Sequence, residues 1–199
     1  MTSDSPTTST VVLRVADVRH RFVEFANSTS SLHLDDAYVI TASSAGLVDV
    51  VGQSPSGVFY GVQSLLGQLG GGDGRRLIAG ELVDAPRFAH RGLMLDVARN
   101  FVGKDVLLRT IDAMAAYKMN RLHLHLTDDE GWRIDVPALP ELTAIGARRG
   151  HDPAGPDAGR RSMLPPYLGS GPSPAANGGA GFYSRDDYRD ILRRARRSP

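Results

Sequence analysis

The sequence has no cysteine, a single tryptophan and no long apolar run, and each shortage removes a class of explanation. Without cysteine there are no disulfides, no thiolate metal sites and no thiol nucleophile, and a chain free of thiols suits either redox environment. No stretch approaches the roughly 18–20 consecutive apolar residues of a membrane-spanning helix. Residues Met1 to Thr10 are polar, with neither the basic start nor the apolar core of a signal peptide, so the chain reads as soluble and unprocessed. A surplus of one charge sign is missing as well. With 23 Lys+Arg against 22 Asp+Glu the formal net charge is +1, and no global field points to nucleic acid or an anionic membrane as partner. What is present is ordinary: 199 residues, 41% hydrophobic and 23% charged, enough for one full domain or two small ones. Binding has to be sought in local sites.

Residues 1–10 are rich in Ser and Thr, carry too few apolar groups to offset the entropy of ordering, and are expected to form a disordered tail. Short β-branched runs follow at Val11 to Ala16, Asp36 to Thr41 and Leu47 to Gly52, expected as strands of a small sheet. The period then changes. Val58, Val62, Leu65, Leu66 and Leu69 recur at spacings of three and four, one face of a helix over Gly57 to Leu69 that the Gly70 to Gly74 cluster ends. Leu77 to Val83 returns as a strand, and Asp84-Ala85-Pro86 reads as a boundary. Residues 11–84 are thus expected to form a small α+β module.

Beyond Phe88 the order is β, α, β: a strand over His90 to Val97, a helix over Lys104 to Lys118, and a strictly alternating run from Arg121 to Thr127. A crossover of helix length favours two parallel strands over a hairpin. Leu122, Leu124 and Leu126 face one way and His123, His125 and Thr127 the other, which favours a barrel with polar residues turned inward near its mouth. From Gly150 to Gly181, 14 of 32 residues are Gly or Pro, marking a long surface loop. Ser184 and Asp187 resemble a capping box that opens an amphipathic helix with Tyr188, Ile191, Leu192 and Ala195 on one side.

The densest polar cluster, His123, His125, Asp128, Asp129 and Glu130, falls at the carboxyl end of the second strand. Two imidazoles two residues apart suggest a metal, but zinc needs three or four convergent ligands, so structural or hydrogen-bonding roles are favoured. Asp128 and Asp129 diverge as neighbours at a strand end, so at most one faces a substrate. Arg99, just past the first strand, shares the rim with Asp128. Its plain alternative is a solvated surface arginine, yet groups at the carboxyl ends of parallel strands line ligand crevices. Trp132 either stacks on a sugar face or plugs its loop. The basic stretch Arg193-Arg194-Ala195-Arg196-Arg197 shares its helix with Asp186, Asp187 and Asp190 and has no interleaved aromatics, so a solvated face is favoured over nucleic-acid binding.

These residues also carry a resemblance. Ala85-Pro86-Arg87-Phe88-Ala89-His90-Arg91-Gly92-Leu93-Met94-Leu95-Asp96-Val97-Ala98-Arg99, followed by the segment from Met114 to Ile134 with His123-Leu124-His125-Leu126-Thr127-Asp128-Asp129-Glu130-Gly131-Trp132, resembles the start of the catalytic barrel of family 20 β-N-acetylhexosaminidases. Gly57 to Leu65 is similar to the last helix of that family's small α+β domain, and Gly181 to Tyr188 to the helix leading into the third barrel strand. Together these segments cover nearly everything from residue 33 to residue 192. The resemblance implies an α/β fold: a small α+β accessory domain at 11–84, then the first two β/α units of an incomplete (β/α)8 TIM barrel at 85–199. It implies a glycoside hydrolase that removes terminal β-linked N-acetylhexosamine from glycans with retention, using the substrate's own acetamido oxygen as nucleophile. It implies no metal, no organic cofactor, and a glycan rather than a nucleic acid or membrane as partner.

By motif position Arg99 matches the arginine that holds the sugar's outer hydroxyls and Asp128 the aspartate of the surrounding polar network, with Asp96, His125 and Asp129 in support. Asn100 stands where the family usually has histidine. The family's general acid, a glutamate preceded by the aspartate that orients the acetamido group in a His-x-Gly-Gly-Asp-Glu element, is absent, and Glu130 is no substitute. Residues 88–199 suffice for two of eight β/α units. The expectation is a truncated chain, inactive alone and prone to aggregate through an unpaired edge. The alternative is a non-catalytic glycan-binding or assembly fragment that keeps Arg99 and Asp128.

Overall fold

The structure is a computed structural model that describes residues 10–25, 32–69, 77–148 and 179–198. Their packing divides the chain after Arg91 into two units, with Ala115–Lys118 grouped with the first and Gly92–Met114 and Met119–Ser198 forming the second.

In the first unit the β-branched runs pair as a four-stranded sheet of β1 (Thr10–Val15), β2 (Tyr38–Ala42), β3 (Leu47–Gly52) and β4 (Gly80–Asp84), in the order β1-β3-β2-β4. β1 runs parallel to β3, while β2 is antiparallel to β3 and β4. Period-two alternation sorts the side chains: Tyr38, Ile40, Val48 and Val50 pack with Tyr60 and Leu65 of helix α1 (Pro55–Leu69), and Val39 and Ala37 pack with Val18 and Phe22 on the other face. Gly61 makes the helix-to-sheet approach possible, since a Cβ there would stand 2.6 Å from Val50 Cγ1.

Several boundaries differ from the sequence expectation. Thr10, assigned to the tail, opens β1 opposite Leu47; the rest of that tail, like most of the Gly/Pro-rich loop, lies outside the described residues. Asp36, expected in a strand, ends a short 3-10 turn (Leu34–Asp36) because its buried carboxylate accepts a hydrogen bond from the Arg91 guanidinium at 3.1 Å. The strand expected from Leu77 starts at Gly80.

In the second unit β5 (Gly92–Asp96) and β6 (Arg121–His125) pair in parallel, in a register that sets Asp96 beside His125. The crossover is helix α2 (Lys104–Ala116), whose Leu107 and Ile111 form a core with Val97, Tyr183 and Ile191, against which Leu122, Leu124 and Leu126 pack. The helix stops at Ala116, two residues short of expectation. Lys118 takes a left-handed φ of 58°, and its Nζ donates to Tyr38 Oη at 2.5 Å and to Ser64 Oγ at 2.6 Å. The alternating run also ends early, at His125. Thr127–Asp128 (β7) and Gly131–Trp132 (β8) fold back on each other as a tight hairpin with Asp129 and Glu130 at its tip. A single turn, α3 (Glu141–Ala144), precedes the last helix, α4 (Arg185–Arg196). The Ser184–Asp187 capping box is formed in both directions. No helix among the described residues is long and apolar enough to cross a membrane.

Candidate active site

Two parallel strands end side by side, and the chain leaving each end delivers polar groups to the same place. After β5, Asp96 Oδ1 accepts hydrogen bonds from the backbone N–H of Ala98 and of Arg99, both at 3.0 Å. This closes a turn that sends the Arg99 side chain back across the rim. After β6, the β7–β8 hairpin presents Asp128 and Glu130. The Arg99 guanidinium meets all three carboxylates: Nη1 to Asp96 Oδ2 at 3.0 Å, Nη2 to Asp128 Oδ2 at 2.8 Å and Nε to Glu130 Oε2 at 2.6 Å. Three of the five guanidinium N–H groups are spent in this way, and the side chain stays 35% exposed, so donors remain free to turn toward a ligand.

His125 completes the cluster. Its Nε2 lies 2.7 Å from Asp128 Oδ2 and 3.1 Å from Arg99 Nη1. One nitrogen cannot donate to the carboxylate and accept from the guanidinium at once, and the shorter contact to the carboxylate assigns the proton to Nε2. Asp129, expected as support, gives it through its backbone: its N–H donates to Asp128 Oδ1 at 2.8 Å while its own side chain is exposed.

The titration behaviour follows. Asp128 is held down to about 2 by the Asp129 backbone N–H and by His125, with the Arg99 charge adding to both. Its neighbour Asp129 is pushed up, because it faces the Asp128 carboxylate. Burial raises Asp96, but the Arg99 backbone and side-chain hydrogen bonds outweigh it and leave the carboxyl below its ordinary range. Hydrogen bonding to Glu130 raises Arg99 further. At neutral pH the cluster is one cation among several carboxylates, with a net negative balance.

The other candidates separate. His123 is on the opposite side of the alternation from Leu122 and Leu124, and its ring centroid stands 6.4 Å from that of His125, but only His125 joins the ion cluster. Among the described residues no group of three His, Asp or Glu is placed to hold a metal ion. Trp132 lies against its own loop, its Nε1 donating to Ile134 O at 2.7 Å. In the basic stretch, Arg194 forms a two-pronged pair with Asp112 of α2, both contacts at 2.6 Å, and Arg193 pairs with Asp190. Sequence reasoning missed Glu130 as a partner of Arg99. The signal was the sixfold Thr127-Asp128-Asp129-Glu130-Gly131-Trp132, which read as a hairpin turns Glu130 back over the strand ends.

Residues 88–198 match the sequence model of the glycosyl hydrolase family 20 catalytic domain. The chain belongs to glycosyl hydrolase family 20. Among relatives of this family, an N,N'-diacetylchitobiase of Vibrio harveyi is 47% identical over 171 residues, which is 86% of this chain and 19% of that protein. In structure, an inactive variant of the family 20 exo-β-N-acetylglucosaminidase of Vibrio harveyi superposes with a TM-score of 0.66 at 32% identity, over 82% of this chain and 24% of the other. A Streptomyces plicatus β-hexosaminidase variant in complex with its product N-acetylglucosamine gives 0.61 at 31% identity, over 81% of this chain and 29% of the other. The chain thus spans about a fifth of the length of the curated family 20 relatives it matches.

Proposed function

We propose that these 199 residues supply one wall of the active site of a retaining β-N-acetylhexosaminidase that releases terminal β-linked N-acetylhexosamine from glycans. Residues 11–84 belong in this reading to the accessory domain and residues 85–199 to the first two β/α units of the barrel, with residues 1–10 as a tail. Arg99 and Asp128 grip the outer hydroxyls of the terminal sugar: the guanidinium donates through the N–H groups not spent on carboxylates, and Asp128 accepts. Asp96, His125 and Asp129 hold these two in place.

The observation that carries the reading is the 2.8 Å pair between Arg99 and Asp128 at the carboxyl ends of two parallel strands, where α/β folds place their ligands. The net negative balance of the cluster suits a neutral, hydroxyl-rich sugar and disfavours an acidic one. In the substrate-assisted scheme the acetamido oxygen attacks the anomeric carbon, an acid protonates the leaving oxygen, and a carboxylate orients the acetamido group. Neither of these last two groups is among the 199 residues, so their share of transition-state stabilisation, several kcal/mol, is missing from the chain alone.

Two measurements test this. The purified chain is expected to release no nitrophenol from p-nitrophenyl N-acetyl-β-glucosaminide, and turnover by pure chain would overturn that part. Titration with N-acetylglucosamine is expected to give saturable binding that Arg99→Ala abolishes; a folded chain that binds no sugar would remove the assignment of Arg99 and Asp128.

A further inference from the structure

The arginine and the carboxylates of the cluster come from two separate stretches of chain, and one side chain joins those stretches. Arg133 directly follows the β7–β8 hairpin that carries Asp128 and Glu130. It is completely buried. Its guanidinium reaches back to the turn that carries Arg99: Nε donates to Val97 O at 3.0 Å and to Ala98 O at 3.3 Å, and Nη2 donates to Ala98 O at 2.8 Å. The remaining donors go to Ala147 O at 2.7 Å and Gly181 O at 3.2 Å from Nη1, and to Gly179 O at 3.0 Å from Nη2.

From the other side, the N–H groups of Val97 and Ala98 both donate to His125 O, at 3.2 and 3.1 Å. Every backbone polar group of the two residues before Arg99 is therefore taken, and Val97 and Ala98 are themselves fully buried. The turn has no freedom to rotate without leaving carbonyls unpaired in the interior, where no water replaces the lost partner. Gly131 is shaped to this contact, because a Cβ there would stand 2.5 Å from Ala98 O and from Arg133 Cζ. Lysine cannot replace the fork: one ammonium reaches a single direction, whereas the planar guanidinium serves carbonyls from three segments at once.

We propose that Arg133 is the positioning residue of the site, setting where the Arg99 guanidinium meets Asp96, Asp128 and Glu130 by holding the carbonyls of Val97 and Ala98. Its consequence for the sugar rests on the proposed role of Arg99, but its geometry does not, and the test reads geometry without any sugar, so the two ideas fail separately.

The experiment is NMR on the full chain and on Arg133→Lys, with Gly131→Ala as a second variant that disturbs the same contact from the hairpin side. In the unaltered protein the Asp96 carboxyl is expected to titrate below its ordinary value, and the Arg99 Nε proton, bonded to Glu130, to give a signal protected from exchange. In a folded Arg133→Lys chain the Asp96 midpoint is expected to move upward, because burial remains while the Arg99 bonds loosen, and the protected Nε signal to disappear. Gly131→Ala is expected to do the same. A role confined to holding the fold together would lower the melting temperature and move neither signal. Folded variants with both signals unchanged overturn the proposal. So does an Arg133→Lys chain that fails to fold, since Arg133 would then be a requirement of the fold rather than of the place of Arg99.

Discussion

The two sheets of this chain solve the burial problem differently. The central strands β2 and β3 of the first unit are covered on both faces, and Tyr38, Val39, Ile40, Val48 and Val50 are all at most 5% exposed. The strand pair of the second unit is covered on one face by α2 and α4, while on β5 Leu93 is 36% and Met94 56% exposed. The first sheet spends its side chains on a core. The second spends the ends of its strands on an arginine paired with three carboxylates, a partly exposed cluster that adds little stability. The four-stranded sheet meets the usual requirement for independent stability through its own apolar faces, whereas the two-stranded pair meets it only through the helices packed against it.

The largest expected effect breaks the second core at its centre. Leu107 is fully buried, and Leu107→Ala should cost about 2–5 kcal/mol in a denaturant titration, with amide protection falling in β5 and β6 before it falls in β2 and β3. Equal loss in both sheets would show that the two cores do not act separately. A smaller effect separates the units by pH. Asp128 has an ordinary carboxyl value of 3.8 and is held at about 2 in the folded protein, so its contribution is complete above about pH 4 and is lost as pH falls through 2. The Asp128 carboxyl carbon and the Asp129 amide proton should titrate together with that low midpoint, and a midpoint near 4 would mean that the hydrogen bonds within the cluster are not formed. The smallest effect falls on the uncovered strand. Met94→Lys should change stability by less than about 0.5 kcal/mol while raising solubility, whereas a loss of several kcal/mol would place Met94 in a core after all.

Much of this arrangement was legible before any coordinates. The change from period two to period 3.6 located α1 and α2, the helix-length crossover fixed the parallel pairing of β5 and β6, and Ser184 with Asp187 announced the start of α4. The shared rim of Arg99 and Asp128 followed from their positions just past the two strand ends, whereas the supporting places of Asp96 and His125 came from the family resemblance. Glu130 and Arg133 were not legible. Glu130 is two residues from Asp128 along the chain and reaches Arg99 only because a hairpin reverses direction there. Nothing in the local sequence marks Arg133, on which carbonyls from residues 97, 98, 147, 179 and 181 converge. The start of a strand at Asp36 and the end of a helix at Lys118 were misjudged because a charged pairing, Asp36 with Arg91 or Lys118 with Tyr38, outweighed the local preference of the backbone.

By itself, then, the sequence determined which residues are apolar at which period, and therefore the elements, the direction of the strand pair and the set of polar groups delivered to its end. Periodicity is a local property and survives translation into structure almost unaltered. Only the tertiary structure decided which carboxylates share Arg99 and what holds that arginine in place. Those choices depend on distances of about 3 Å between segments as many as 48 residues apart, and on the cost of leaving a buried carbonyl or charge without a partner, neither of which is written in any one stretch of chain.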